Sequence, residues 1–253
     1  MNGGWKGIRN YFGVCNMRAM ALRGENIRKL ELPDLFLYEM TSEGSNCNAI
    51  VSVLNEGKTN QFGKVEVGGS LRGKDVLFFP HSSMAMWLYQ YLHLQDFPDL
   101  SKSEEWYDMK IFPPEFESCT TEMRRDTHSN AIRRMFKYCG INATKATHFF
   151  RGLATRTAQQ AGVPDSGLRS LGRWQGGSME HPYAPDLPES AMRALAGFSA
   201  EYRNCYIKRA EVEVPIELLH QAFPSVDSEM EIEKGKSTPN MAKLQFLEPL
   251  KYS

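Results

Sequence analysis

The feature that most restricts the fold is one β-branched run, residues 49–54 (Ala-Ile-Val-Ser-Val-Leu), set among long stretches of helical periodicity. A turn-like segment follows at 55–63, and then Lys64-Val65-Glu66-Val67, which alternates polar and apolar. Two short β-prone runs joined in this way make a hairpin, and residues 76–79 offer one further short strand. The remainder reads as helix. Ile8, Tyr11, Phe12, Cys15, Ala19 and Leu22 recur at three- and four-residue steps. Gly24 and Pro33 then punctuate a short helix over 26–32 and a loop.

Residues 82–94 open on cap-type serines and return to helix, and 97–114 read as a long connection. In 120–139, Met123, Ile132, Met135 and Phe136 lie on one side with arginines on the other, and Gly140 ends the helix. Residues 146–161 form another helix, closed by Gly162-Val163-Pro164. Asp165 starts a short helix running to Leu171, and 189–198 form one more. The expected fold is α+β, mostly α, with a small antiparallel sheet inserted among helices. Residues 1–205 are expected as one domain and 206–253 as a C-terminal extension, partly helical and then mobile. Its segment 216–223 is amphipathic; docking on a neighbouring protomer and folding back on its own domain are both open.

With 253 residues, 42% of them hydrophobic, the chain can bury a core without staples. Five cysteines without a CxxC pair suit a reducing, intracellular setting. The apolar runs are too short for a bilayer, so no membrane partner is expected, and the start has no charged-then-apolar leader. The formal net charge is zero, yet residues 121–173 hold ten Lys or Arg against three acids. Such a local positive field suits a polyanion site, and a solvated helix face accounts for it equally well.

No phosphate-binding glycine loop, dinucleotide fingerprint, zinc-protease helix or serine elbow is present. Cysteine and histidine spacings give no metal cluster, and no cofactor is expected. One constellation remains. His148 and Arg151, at i and i+3 of a helix, share a face. Trp174 and Tyr183 follow downstream, Arg23 lies far upstream in Leu22-Arg23-Gly24-Glu25, and Lys58 lies in the hairpin turn. Each has an ordinary alternative. Arg23 could cap a helix end, Lys58 could be a solvated loop lysine, and His148 could sit in the core beside Phe149 and Phe150. Trp174 could be core filling, and Tyr183 is one of ten tyrosines.

Taken in order, Arg, hairpin Lys, His-x-x-Arg, Trp and Tyr resemble the catalytic domain of the tyrosine recombinases over roughly residues 5–200. Leu-Arg-Gly-Glu, Gly57-Lys58-Thr59-Asn60, Gly172-Arg173-Trp174 and Leu187-Pro188-x-x-x-Met192-Arg193-x-x-Ala196-Gly197-Phe198 resemble the fungal Crypton-type recombinases. They also resemble the related DNA-binding domain of the fungal centromere-binding kinetochore subunit. The resemblance implies that Arg23 and Arg151 clamp phosphate oxygens of double-stranded DNA, since a guanidinium makes paired hydrogen bonds to phosphate. It further implies His148 and the Trp174 indole as added donors, Tyr183 as the nucleophile of a 3′-phosphotyrosine intermediate, and Lys58 as the acid for the leaving oxygen. Lys145, Arg156, Arg169 and Arg173 would neutralise flanking phosphates. Nuclear location and self-association on DNA, as dimer or tetramer, belong to the same expectation.

Two features depart from the recombinase pattern. Tyr183 stands between Pro182 and Pro185 and is expected on a loop, and the chain starts near the first helix of the catalytic half, without a preceding clamp domain. The kinetochore relatives are structural DNA platforms, which makes a non-catalytic DNA-binding protein the alternative to a recombinase. A third reading is a helical interaction module with Met84, Trp87, Tyr91 and Met192 as exposed anchors; burial of the helix at 82–94 would exclude it.

Overall fold

A computed structural model describes residues 4–43, 47–55, 65–78, 80–93, 102–174 and 187–252. Helix α1 (Gly4–Ala19) buries Phe12, Cys15 and Ala19 of the stripe that its periodicity announces, and Met17 beside them. Helix α2 (Gly24–Lys29) follows after a sharp elbow. Strands β1 (Leu35–Glu39), β2 (Asn48–Leu54) and β3 (Glu66–Ser70) form an antiparallel sheet in the order β1-β2-β3. Leu35 pairs with Ser52, and Leu54 with Glu66. The architecture is mostly helical with a small three-stranded sheet, as expected.

The central strand β2 is buried on both faces. Ile50 and Leu54 join the main core, while Ala49 and Val51 join a smaller cluster with Met40, Met192, Phe198 and Cys205. Period-2 alternation therefore serves two cores at once. Helix α3 (Pro80–Leu88) runs into a wider π turn at Tyr89–His93 and packs on α1. Trp87 is fully buried, stacks on Tyr91 with ring centroids 4.9 Å apart, and donates its indole N–H to the Ile111 carbonyl at 2.7 Å. Met84, Tyr91 and Met192 are equally buried, so the exposed anchors of an interaction module do not exist.

Three other expectations are corrected. Residues 35–39, read as loop, form β1. Residues 76–78, read as a strand, make a 3-10 turn whose Val76, Leu77 and Phe78 are all exposed. The connection at 97–114 contains a short helix, α4 (Ser103–Trp106), and core residues Trp106, Met109, Ile111 and Phe112. Several of its described backbone groups bond inside the molecule. Leu32 N–H donates to Met109 O at 2.8 Å and Ile111 N–H to Leu30 O at 2.9 Å, while Arg9 donates to the carbonyls of Pro113 and Pro114.

The C-terminal extension is helical and packs on the rest of the molecule. Helices α5 (Arg125–Tyr138), α6 (Ala146–Gln160), α7 (Asp165–Gly172) and α8 (Glu189–Leu195) come first, then α9 (Ile216–Ala222), α10 (Pro224–Glu233) and α11 (Pro239–Leu247). Pro224 and Pro239 open their helices, where a missing N–H is harmless. The Thr238 hydroxyl accepts from Met241 N–H at 3.1 Å. Phe223, Val226, Leu244, Phe246, Leu247 and Leu250 are buried in the same core as Phe12. Segment 216–223 thus folds back through Leu219 and Phe223.

Candidate functional site

Helix α6 is the platform of the site. Its small residues Ala154 and Ala158 are fully buried and let neighbouring helices approach closely. Its first turns present His148 and Arg151 on one face, His148 exposed and Arg151 only 7% exposed. Helix α2 abuts that first turn: a Cβ added to Gly24 would lie 2.7 Å from Thr147 Cβ. Only glycine permits this approach, and it delivers Arg23, which precedes α2, to the side of His148. The Arg23 backbone N–H donates to Asn26 Oδ1 at 3.0 Å, so Arg23 does occupy a helix cap and also joins the cluster.

Helix α7 brings the third component. It ends at Arg173, whose backbone is left-handed (φ 49°). Trp174 then folds back over Gly172, where an added Cβ would lie 2.6 Å from the indole ring. The ring is 47% exposed, and its centroid is 5.8 Å from the guanidinium carbon of Arg151. Trp174 is therefore no core filler. One end of the Arg151 guanidinium donates through Nη2 to the Gly172 carbonyl, whereas Nη1 is buried without a hydrogen-bond partner among the described residues.

The electrostatics are one-sided. Burial, then the charge of Arg23, push Arg151 down to about 10, still cationic at neutral pH, and Glu66 opposes the drop. Although exposed at the surface, His148 is held below its usual range by partial desolvation and then by Lys145, Arg23, Arg151 and Arg125, so its neutral form is favoured. Arg125 and Glu66 were not anticipated from sequence. Arg125 was one arginine among many on an exposed helix, and Glu66 stood in an alternating strand whose polar position ordinarily faces water.

Arg23, His148, Arg151 and Trp174 thus come together. Lys58 and Tyr183 lie outside the described residues. Lys145, Arg156 and Arg169 are exposed on α6 and α7 or at their ends, open to a large anion. Arg173 is placed differently: its side chain is 6% exposed and turned inward, donating to the carbonyls of Met20 at 3.1 Å and Ala21 at 2.7 Å. Among the described residues no group of His, Cys, Asp or Glu could hold a metal ion. What the cluster can do is bind an anion with oxygen acceptors, since it offers cationic and neutral N–H donors around one partly closed point.

Fold and site together define a mostly helical α+β protein with one cationic cluster around the buried Arg151, assembled from the elbow before α2, the head of α6 and the end of α7. The family model that matches, over residues 15–252, is that of the centromere DNA-binding protein complex CBF3 subunit, domain 2. The match covers nearly the whole chain, and the chain belongs to this family. It falls on the centromere-binding side of the resemblance and takes in the C-terminal helices. No curated protein matches the sequence.

Proposed function

We propose that the chain binds duplex DNA through its sugar-phosphate backbone, as a structural centromere-type DNA-binding domain working in the nucleus within a larger complex. The observation that carries this reading is Arg151 Nη1, a buried N–H group without an acceptor among the described residues, beside Arg23, His148 and an exposed indole. A buried donor left unpaired is costly, and a phosphate oxygen supplies the missing acceptor as a charge-assisted bond. Lys145, Arg156 and Arg169 extend the positive surface on either side and add phosphate contacts that carry no sequence information. The family's name, a centromere DNA-binding complex subunit, supports both the ligand and the assembly.

Titration of a labelled duplex tests it: Arg151→Met should weaken binding at least tenfold while the circular dichroism spectrum is kept. Equal affinity of the two proteins would refute the site. Self-association on DNA belongs to the same proposal, and light scattering with and without duplex checks it.

A second reading, strand cleavage and rejoining through Tyr183 with Lys58 as acid, is favoured by the convergence of Arg23, His148, Arg151 and Trp174. A nicked suicide duplex distinguishes the two. A covalent adduct lost in Tyr183→Phe supports cleavage, and tight binding without adduct supports the structural role.

A further inference from the structure

We propose that Arg173 is a positioning residue of the anion site: with Glu66 it fixes where Arg23, Arg151 and Trp174 stand, and it does not itself touch the phosphate. The proposal rests on the phosphate-site reading above and concerns how that site is held in shape.

The backbone supplies the first observation. Among the described residues, Ala21 (φ 48°) and Arg173 (φ 49°) are the non-glycine residues in the left-handed region, a conformation that strains an L residue and persists only where its surroundings impose it. The two strained residues are bonded to each other, since Arg173 Nη2 donates to Ala21 O at 2.7 Å. Nη1 donates to Met20 O at 3.1 Å. The terminal nitrogens are therefore committed to the elbow between α1 and α2, two residues before Arg23.

The other edge of the guanidinium meets the sheet. Arg173 Nε is 3.7 Å from Glu66 Oε2, and both side chains are nearly inaccessible, at 6% and 9%. Glu66 opens β3 opposite Leu54 and so marks the root of the hairpin. Two residues further on, a Cβ added to Gly68 would sit 3.3 Å from Met20 Cβ and 3.5 Å from Arg173 Nη1; the strand runs close against this tie. Along the chain, Arg173 stands directly between Gly172, whose carbonyl holds Arg151, and Trp174, whose ring lies over it. One side chain thus joins the hairpin root, the Arg23 elbow and the Trp174 turn.

The test separates positioning from direct phosphate contact. Duplex binding is measured against salt for wild type, Arg173→Met, Arg173→Lys and Glu66→Gln, and acrylamide quenching of tryptophan emission is measured in the free proteins, with Trp174→Phe identifying the Trp174 signal. We expect Arg173→Met to lose tenfold or more in affinity with an unchanged slope of log K against log salt, and Trp174 to become more quenchable. Glu66→Gln should move both readouts in the same direction by less, and Arg173→Lys should restore part of the loss. A slope shallower by about 0.9 in Arg173→Met would show a direct phosphate contact and overturn the proposal. Unchanged affinity and unchanged Trp174 quenching would overturn it too. If Arg173→Met does not fold, Arg173→Lys and Glu66→Gln decide by the same two readouts. If Arg151→Met binds DNA like wild type, the phosphate-site reading falls, and Trp174 quenching in the DNA-free variants still decides whether Arg173 sets the site's shape.

Discussion

The Arg173 guanidinium donates a 2.7 Å hydrogen bond to the Ala21 carbonyl across 152 positions of sequence, so two left-handed non-glycine residues hold each other in place. A left-handed L residue costs about 1–2 kcal/mol, and glycine would adopt the same angles without strain. Ala21→Gly should therefore keep the melting temperature or raise it slightly, although buried Ala→Gly changes ordinarily destabilise. DNA affinity should fall at the same time, because the elbow that carries Arg23 is then less restricted. Thermal unfolding and a duplex titration check both outcomes; a large loss in melting temperature would contradict the strain.

Gly24→Ala tests the approach of α2 to α6. Its new methyl would meet the Thr147 Cβ, an atom close to the backbone that cannot swing away. Overpacking of this kind costs about 1–3 kcal/mol. We expect chemical denaturation to show a loss in that range, with a parallel drop in DNA affinity as Arg23 moves off His148. Gly152, also in α6, has open space for a Cβ, and Gly152→Ala should be neutral or mildly stabilising.

His148 sets a pH dependence. In the free protein its imidazole is held below the usual range by partial desolvation and four neighbouring cations. A bound phosphate would raise it again, so binding takes up a proton and affinity should increase as pH falls through and below the ordinary histidine range. His148→Gln should flatten that profile. A profile that is flat in wild type, or identical in the variant, would remove His148 from the phosphate's surroundings.

Much of this molecule is visible in its sequence, and what is hidden has definite causes. The hairpin of β2 and β3 and helices α5, α6 and α7 follow from periodicity and from Gly140 and Gly162, both with positive φ. Strand β1 is hidden because most of it is an exposed edge (only Leu35 is buried), which leaves no alternation to read. The packing of the C-terminal helices is hidden because the few residues that carry the burial, among them Val226, Leu244, Phe246 and Leu250, are spread among charged and polar ones. At the site, the order of Arg23, His148, Arg151 and Trp174 was legible. Glu66 was not: Val65 is exposed and Glu66 is buried, the reverse of the usual face, and only the tertiary meeting with Arg173 explains it. Arg173 reads as a surface cation because charge is legible in sequence and direction is not.

Lys243 ties the C-terminal extension to the sheet side of the core. It is 3% exposed, lies 4.7 Å from the Phe246 ring centroid and donates to the Leu32 and Leu35 carbonyls. Burial pushes it down from 10.5 to about 7, with Asp34 opposing. Between those values the unfolded chain binds more protons than the folded one, so stability from this group rises as pH climbs from about 7 to 10.5; below pH 7 the penalty for burying the cation is complete. Lys243→Met should abolish that rise, which denaturation at several pH values can show. A variant that still follows the wild-type curve would mean that Lys243 is solvated.

The central claim is that a DNA phosphate completes the hydrogen bonding of Arg151. Its most direct measurement is the salt dependence of duplex binding by wild type and by Arg151→Met under identical conditions. The account predicts a slope of log K against log salt shallower by about 0.9 in the variant, one phosphate contact fewer, together with weaker binding at every salt concentration. Parallel lines of equal affinity would contradict it.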